Sequence, residues 1–208
     1  MWIKICGVTD EAAVAAALDA HVDAIGFVFA PSVRRLQPAR AAALARCARG
    51  KANLIAVTLH PEQSLVDEIV RVFKPDTLQS DLADFAALQL PDSLARLPVL
   101  RSATADSAIA DSLIAGKILF EGARSGSGET ADWAMAARLS RSHELVLAGG
   151  LDADNVAAAI AAVRPYGVDV SSGVEATPGQ KSVEKIARFV AVANAAFEGG
   201  MHGNRCSV

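Results

Sequence analysis

Cysteine is scarce in this chain, and its scarcity argues against two classes of protein. The 208 residues contain three cysteines, Cys6, Cys47 and Cys206. They are far apart and odd in number, so they match neither a disulfide framework nor the ligand spacing of a zinc site. A reducing, cytoplasmic location is therefore the expectation.

Long apolar runs and an excess of positive charge are also missing. Charged residues interrupt every apolar stretch well before the roughly 18 residues that a membrane span needs. The formal net charge is −3, which argues against nucleic acid as the main partner. The first residues follow a strand pattern, with no basic segment ahead of an apolar one, so no secretory signal is expected. The oligomeric state is left open.

Apolar residues are plentiful, and they are arranged in short runs. Hydrophobic residues make up 52% of the chain and charged residues 21%, enough for one large core and too apolar for disorder. The runs alternate with alanine-rich segments, and each predicts a strand followed by a helix. The predicted strands are residues 2–6, 24–29, 53–58, 77–79, 98–100, 117–121, 145–148 and 167–171. Helices are predicted to begin near residues 10, 38, 61, 106, 130, 152 and 182.

This alternation predicts an α/β protein built as a single (β/α)8 TIM barrel. The barrel is expected over residues 1–198, with the glycine-containing segment 199–208 as a flexible tail. An open doubly wound sheet is the competing architecture. That sheet needs a glycine-rich turn directly after the first strand, and Gly7-Val8-Thr9 does not supply one.

The first strand ends in a thiol, at the edge where such barrels carry their function. Side chains alternate along a strand, so Lys4 and Cys6 share one face. Cys6 is either a small buried hydrophobe, the common fate of a lone cysteine, or a reactive thiol at the mouth of the barrel. Lys4 could stabilise a thiolate there or take part in a structural ion pair.

Two further strand ends carry charged candidates. Glu121 ends the sixth predicted strand, where it is either half of an acid–base pair with the thiol or a solvated loop acid. After the second strand, Arg34 or Arg35 offers a planar fork suited to a carboxylate, or each is a surface arginine. The histidines fall on predicted helices, helix entries or the tail and are interpreted as structural: His21, His60, His143 and His202.

The loops after the seventh and eighth strands are candidates for binding phosphate. Gly149 and Gly150 precede a predicted helix, and Ser171, Ser172 and Gly173 follow the last strand. Glycines allow a ligand close to the backbone, and N–H groups at a helix N-terminus attract anions. Barrels of this class bind phosphate at these two loops, although ordinary turns would have similar residues. A small phosphorylated molecule is the favoured partner.

Taken together, these segments resemble phosphoribosylanthranilate isomerase over nearly the whole chain. The motifs that carry the resemblance are Lys-Ile-Cys-Gly at 4–7, Gly-Phe-Val-Phe at 26–29 with Ser32 and Arg34, Gly126 and Gly128 ahead of Asp132-Trp133, Ala-Gly-Gly-Leu at 148–151 with Asn155-Val156, and Gly-Val-Asp-Val-Ser-Ser-Gly-Val-Glu at 167–175 with Pro178-Gly179 and Lys181. The last motif and the first are specific in combination, whereas the double glycine alone is not.

The resemblance implies a (β/α)8 enzyme of tryptophan biosynthesis that needs no cofactor and no metal. The implied reaction is the Amadori rearrangement of N-(5-phosphoribosyl)anthranilate to 1-(2-carboxyphenylamino)-1-deoxyribulose 5-phosphate, an isomerisation of the aldose–ketose type. By position, Cys6 matches the general base, Glu121 the general acid and Arg34 the residue that binds the anthranilate carboxylate. The strand 7 and strand 8 loops match the phosphate site.

The chain departs from the family pattern at two strand ends. Glu121 stands where the family has aspartate, and the longer side chain changes the reach of the acid. Gln79-Ser80-Asp81-Leu82 replaces the usual Gln-Leu-His-Gly, and the role of that histidine is not transferred to Asp81. The departures keep two rivals open: another phosphosugar isomerase and a non-catalytic phosphosugar-binding barrel. Indole-glycerol-phosphate synthase would require a lysine acid and an additional N-terminal segment. The glycines within 124–130 also suggest a loop that closes over substrate.

Overall fold

A closed barrel of eight parallel strands forms the centre of the computed structural model, which describes residues 2–101, 116–122 and 131–202. The strands are hydrogen-bonded in chain order, and β8 pairs with β1 to close the sheet. The strands are β1 Trp2–Cys6, β2 Ala24–Val28, β3 Asn53–Val57, β4 Thr77–Asp81, β5 Ala95–Arg101, β6 Lys117–Glu121, β7 Glu144–Leu147 and β8 Gly167–Val170. The predicted barrel is confirmed.

Helices connect the strands and pack against the outside of the barrel. They are α1 Glu11–Asp19, α2 Pro38–Leu44, α3 Gln63–Glu68, α4 Trp133–Leu139, α5 Val156–Val163 and α6 Val183–His202. Local sequence explains several starts: Asp10 accepts a hydrogen bond from the backbone of Ala13, and Pro38 occupies a first-turn position where it needs no N–H partner. Within the described ranges, no helix is long and apolar enough to cross a membrane.

Alternation along each strand divides the apolar side chains into two clusters. Ile3 and Ile5 point outward, into the layer between the sheet and the helices. A second cluster fills the inside of the barrel, and it includes Ile55, Leu119 and Val146. The inside therefore consists of packed side chains up to the level of the C-terminal strand ends, as expected for a barrel of this size.

Gly26 makes room for the inward-facing side chains of β1. It pairs with Cys6 across the β1–β2 ladder. A Cβ atom at Gly26 would lie 3.0 Å from Lys4 Cε and 3.1 Å from Cys6 Sγ. A larger residue at this position would push the lysine and the thiol away from their observed places.

Several boundaries differ from the prediction. The segment after β4 forms a 3₁₀ helix, Leu82–Ala86, in place of the α-helix expected after each strand. The helix expected near Asp152 begins at Val156. The last helix extends to His202, into the segment expected to be a tail, and residues 203–208 lie outside the described residues. The helix predicted near residue 106 and the loop 124–130 also lie outside them.

Candidate active site

A cavity of about 730 Å³ opens at the C-terminal ends of the barrel strands. Seven of the eight residues predicted for the site line this cavity: Cys6, Arg34, Glu121, Gly149, Gly150, Ser171 and Ser172. The eighth, Gly173, lies behind the cavity wall, where a Cβ atom would collide with the backbone oxygen of Leu151. Its glycine is therefore needed to bring the β7 and β8 loops together.

Cys6 lies at the inner end of the cavity with only 7% of its surface exposed. Burial raises the pKa of the thiol, because the charged thiolate is poorly solvated there. The nearby Lys4 ammonium opposes this effect with its charge and a hydrogen bond, Lys181 opposes it with its charge, and the Asp169 carboxylate adds to it. The two lysines thus give a thiolate at Cys6 its electrostatic support.

Lys4 is fully buried inside the barrel and pairs with Asp169 at the same level. Lys4 Nζ donates to Asp169 Oδ2 at 3.0 Å. Burial works to lower the pKa of Lys4, but the negative charges of Asp169 and Cys6 outweigh it and the pKa is raised. Both roles considered for Lys4 from the sequence therefore coexist: it forms an ion pair, and it lies beside the thiol.

Arg34 is held rigidly by Glu175. Its Nε and Nη2 donate to the two carboxylate oxygens of Glu175, at 2.6 and 2.9 Å. Lys181 Nζ donates to the same carboxylate at 2.9 Å. Although burial opposes it, these donors lower the pKa of Glu175 to about 2. Within the described part of the chain Nη1 of Arg34 has no hydrogen-bond partner, so this nitrogen remains able to bind an anion in the cavity.

Glu121 projects from the end of β6 and is joined to two neighbouring strands by one arginine. Arg101 Nη1, at the end of β5, donates to Glu121 Oε1 at 2.6 Å. The same guanidinium donates from Nε and Nη2 to Asp81 at the end of β4. Asp81 and Arg101 were not predicted as site residues, since their side chains meet only after three strands align in register.

His60 lies in the cavity wall just after β3, a position that its interpretation as structural did not anticipate. Its Nδ1 lies 2.7 Å from Asp84 Oδ1, and this hydrogen bond raises the pKa of the imidazole. Its Nε2 lies 3.7 Å from Asp81 Oδ2. Two-thirds of the side chain is exposed, so the ion pairs of His60 are only weak.

The β7 loop exposes backbone to the cavity. Gly149 and Gly150 have φ angles of +91° and +64°, which side-chain-bearing residues rarely adopt. Asn155 fixes the loop, because its Nδ2 donates to the backbone oxygen of Gly150 at 2.7 Å and its Oδ1 accepts from the backbone of Asp152. The helix starts after this turn, so Gly150 and the helix N-terminus are not adjacent, contrary to the prediction.

Two buried acceptor atoms of cavity-lining residues have no hydrogen-bond partner within the described residues: Gln79 Oε1 and Asp169 Oδ1. Such atoms are costly to leave unpaired, so they are suited to accept from the hydroxyl groups of a ligand. Within residues 2–101, 116–122 and 131–202, no group of three or more His, Cys, Asp or Glu side chains is arranged to hold a metal ion.

Comparisons with known proteins show the family and the fold of the chain. The family model for N-(5'-phosphoribosyl)anthranilate (PRA) isomerase matches residues 3–192. The chain belongs to this family. It is 38% identical to the N-(5'-phosphoribosyl)anthranilate isomerase of Afipia carboxidovorans, over 93% of this chain and 89% of that one.

Solved structures of phosphoribosylanthranilate isomerases have the same fold. The Thermotoga maritima structure is 26% identical and superposes with a TM-score of 0.83, covering 94% of this chain and 99% of that one. A second structure, 25% identical with a TM-score of 0.80 and the same coverage, is a complex with reduced 1-(o-carboxyphenylamino)-1-deoxyribulose 5-phosphate. The chain is therefore an isomerase of tryptophan biosynthesis by family.

Proposed function

We propose that the cavity carries out the Amadori rearrangement of N-(5-phosphoribosyl)anthranilate, with Glu121 as general acid and Cys6 as general base. Glu121 donates a proton to the furanose ring oxygen. The bond between that oxygen and C1 breaks, and the nitrogen lone pair forms a protonated Schiff base. Cys6, as thiolate, then removes the proton from C2. The C2–H electron pair forms the C1–C2 double bond of an enol, and the electrons of the C1–nitrogen double bond return to the nitrogen as a lone pair. The enol becomes the ketone when C1 takes up a proton and the C2 hydroxyl group gives one up.

The observation that carries this proposal is the presence of both groups in one cavity in two different environments. Cys6 is buried, and its burial raises the pKa of the thiol, while the charges of Lys4 and Lys181 act in the opposite direction and favour the thiolate. Glu121 lies nearer the opening, and 12% of its side-chain surface is exposed. Acid and base chemistry on one substrate requires two such groups in separate settings.

The remaining cavity residues account for substrate binding. Arg34, held by Glu175, would direct Nη1 to the anthranilate carboxylate. Gly149, Gly150, Ser171, Ser172 and Gly173 belong to the two loops proposed for the phosphate. Gln79 Oε1 and Asp169 Oδ1 would accept hydrogen bonds from the sugar hydroxyls.

The cytoplasm is the proposed compartment, because the base must stay a reduced thiol. Cys6 and Cys47 are free cysteines. The proposed mechanism assigns no step to a cofactor, since two side chains transfer the protons.

The direct test is conversion of N-(5-phosphoribosyl)anthranilate to product by the purified protein, followed by chromatography. We expect turnover, and we expect Glu121→Gln to lower kcat by roughly 100- to 1,000-fold, the usual contribution of a proton-transfer group. Glu144→Gln is the matched control, because this carboxylate lies at the other end of the barrel, on β7. Its kcat should not change.

A non-catalytic phosphosugar-binding barrel is the alternative that the two departures from the family pattern motivate. Such a protein would bind the reduced product analogue and show no turnover. Tight binding of the analogue, measured by calorimetry, together with an inactive purified protein would contradict our proposal and support this alternative. Turnover of a different phosphosugar alone would indicate another isomerase.

A further inference from the structure

The two positions at which this chain departs from its family meet at one side chain. Asp81 ends β4 and Glu121 ends β6, at the two positions where the resemblance implies a histidine segment and an aspartate. Arg101, on the strand between them, donates to both. The register places Asp81 opposite Val99 on β5, and it places Arg101 opposite Glu121 on β6. The C-terminal ends of the three strands are therefore neighbours.

Arg101 binds Asp81 through one edge of its guanidinium and Glu121 through Nη1. Nη2 lies 2.7 Å and Nε 3.1 Å from Asp81 Oδ1, and Nε lies 3.2 Å from Oδ2. Nη1 lies 2.6 Å from Glu121 Oε1. Because a guanidinium is planar, fixing its Nε–Nη2 edge against one carboxylate also fixes the direction of Nη1.

We propose that Asp81 is a positioning residue for Glu121, acting through Arg101, so that the two departures compensate one another. This inference rests on the proposed role of Glu121 as the acid. Glutamate has one more rotatable bond than aspartate, and that freedom must be lost before the carboxyl group can meet the ring oxygen. Arg101 restrains it by holding Oε1. Asp81 in turn restrains Arg101 by accepting from its Nε and Nη2, whereas a histidine side chain carries no negative charge and has no pair of oxygens to accept from this edge.

Asp81 also balances the charge that Arg101 brings to the acid. A cation beside a carboxyl group favours its ionised form, whereas the acid must carry a proton to act. Sharing the guanidinium with a second carboxylate reduces that effect. Among the described residues, His60, 3.7 Å from Asp81, and Asp84 beyond it are the other titratable groups on this side of the mouth. The groups around Cys6 and Arg34 are paired among themselves.

The test is Asp81→Asn, which keeps the shape of the side chain and removes its charge. We expect kcat to fall about 10- to 100-fold, since small misplacements of a reacting group have effects of this size, while KM changes by less than about threefold. Asp84→Asn is the matched control. Asp84 is a neighbouring carboxylate whose hydrogen bonds go to His60 and Ser80. Its kcat should stay within about twofold of the parent.

A double-mutant cycle distinguishes positioning from a general structural role. If Asp81 acts through Glu121, Asp81→Asn should lower kcat by less than about twofold when it is added to Glu121→Gln. Arg101→Lys should reproduce the loss in kcat, because an ammonium keeps the charge but cannot bind both carboxylates as a fork does. Thermal unfolding would show whether Asp81→Asn is folded. If it is not, Arg101→Lys tests the same inference.

Three results would overturn the inference: unchanged kcat in Asp81→Asn and Arg101→Lys, a loss confined to KM, or equal losses with and without Glu121→Gln. Full activity of Glu121→Gln would be a different failure, since it would remove the proposed acid itself. A large loss in Glu121→Gln with no effect of Asp81→Asn would leave the proposed function intact and reject only the role of Asp81.

Discussion

The two sides of the cavity use charge differently. On the side of β8, β1 and β2, which we call the thiol side, Lys4, Asp169 and Glu175 are buried ionic groups, and Cys6 lies among them. On the side of β4, β5 and β6, the carboxyl side, Asp81 and Arg101 each have 17% of their side-chain surface exposed. Arg101 connects the strand ends of that side, whereas the thiol side contains two separate groups, the Lys4–Asp169 pair and Glu175 with Arg34 and Lys181.

This difference follows from what each proposed group must do. A thiolate base needs positive charge close by in a poorly solvated setting, and buried lysines supply it. An acid that must bind a proton again in each cycle benefits from balanced charge and access to water. On the thiol side the charged groups are therefore buried beside their partners. On the carboxyl side two carboxylates share the guanidinium of Arg101 nearer to water.

The largest expected effect is on the thiol side. Cys6→Ala should lower kcat/KM by about 100- to 10,000-fold, because it removes the proposed base while the outward-facing residues that hold β1 are untouched. Steady-state kinetics measures the loss, and circular dichroism checks the fold. Cys47→Ala is the control, since Cys47 is an exposed free cysteine. Equal activity of the two variants would remove Cys6 from the mechanism.

A second prediction concerns the buried ion pair. Lys4→Met should lower the free energy of unfolding by about 3–5 kcal/mol, because it leaves the Asp169 carboxylate buried without its partner. Urea unfolding measures the change. The double variant Lys4→Met/Asp169→Asn should recover most of the loss, since neither charge then remains.

On the carboxyl side, Asp81→Asn likewise removes one charge of an ion pair. We expect it to change the free energy of unfolding by about 1 kcal/mol or less, because the partners of Asp81 are nearer water. Similar losses on both sides would contradict the distinction between buried and shared charge. A single Lys4→Met variant as stable as the parent would contradict it more strongly.

Much of the thiol side could be predicted from the sequence. The residues involved belong to two compact motifs, 4–7 and 167–175, and strand alternation alone places Lys4 beside Cys6. The ion pair between Lys4 and Asp169 was not predicted, because it depends on the register that brings β8 against β1. The strand pattern itself was predictable because each run is short, apolar and bounded by breaks.

The carboxyl side could not be predicted to the same extent. Arg101 ends a strand that the sequence indicated only over residues 98–100, and the structure extends it from Ala95 to Arg101. Its role appears only when three strand ends lie together. His60 was assigned to a helix entry, although the short segment after β3 places it in the cavity wall. Ion pairs between residues that are far apart in the chain produce no local sequence pattern from which they could be predicted.

A further prediction concerns the pH dependence of stability on the thiol side. The folded-state pKa of Glu175 is about 2, below its ordinary value of 4.5. A lowered pKa means that Glu175 stabilises the fold fully above about pH 4.5 and loses this contribution as the pH falls towards 2. Glu175→Gln should therefore lower the free energy of unfolding by ~2 kcal/mol at pH 7, the size of a charged hydrogen bond.

The difference between the parent and Glu175→Gln should shrink steadily as urea unfolding is repeated from pH 5 down to pH 3. Glu62→Gln, at an exposed carboxylate, controls for general effects of losing a charge. A constant difference across this range would show that the bonds from Arg34 and Lys181 do not depend on the ionised carboxylate. The thiol side would then be held by packing, and its contrast with the carboxyl side would not be electrostatic in origin.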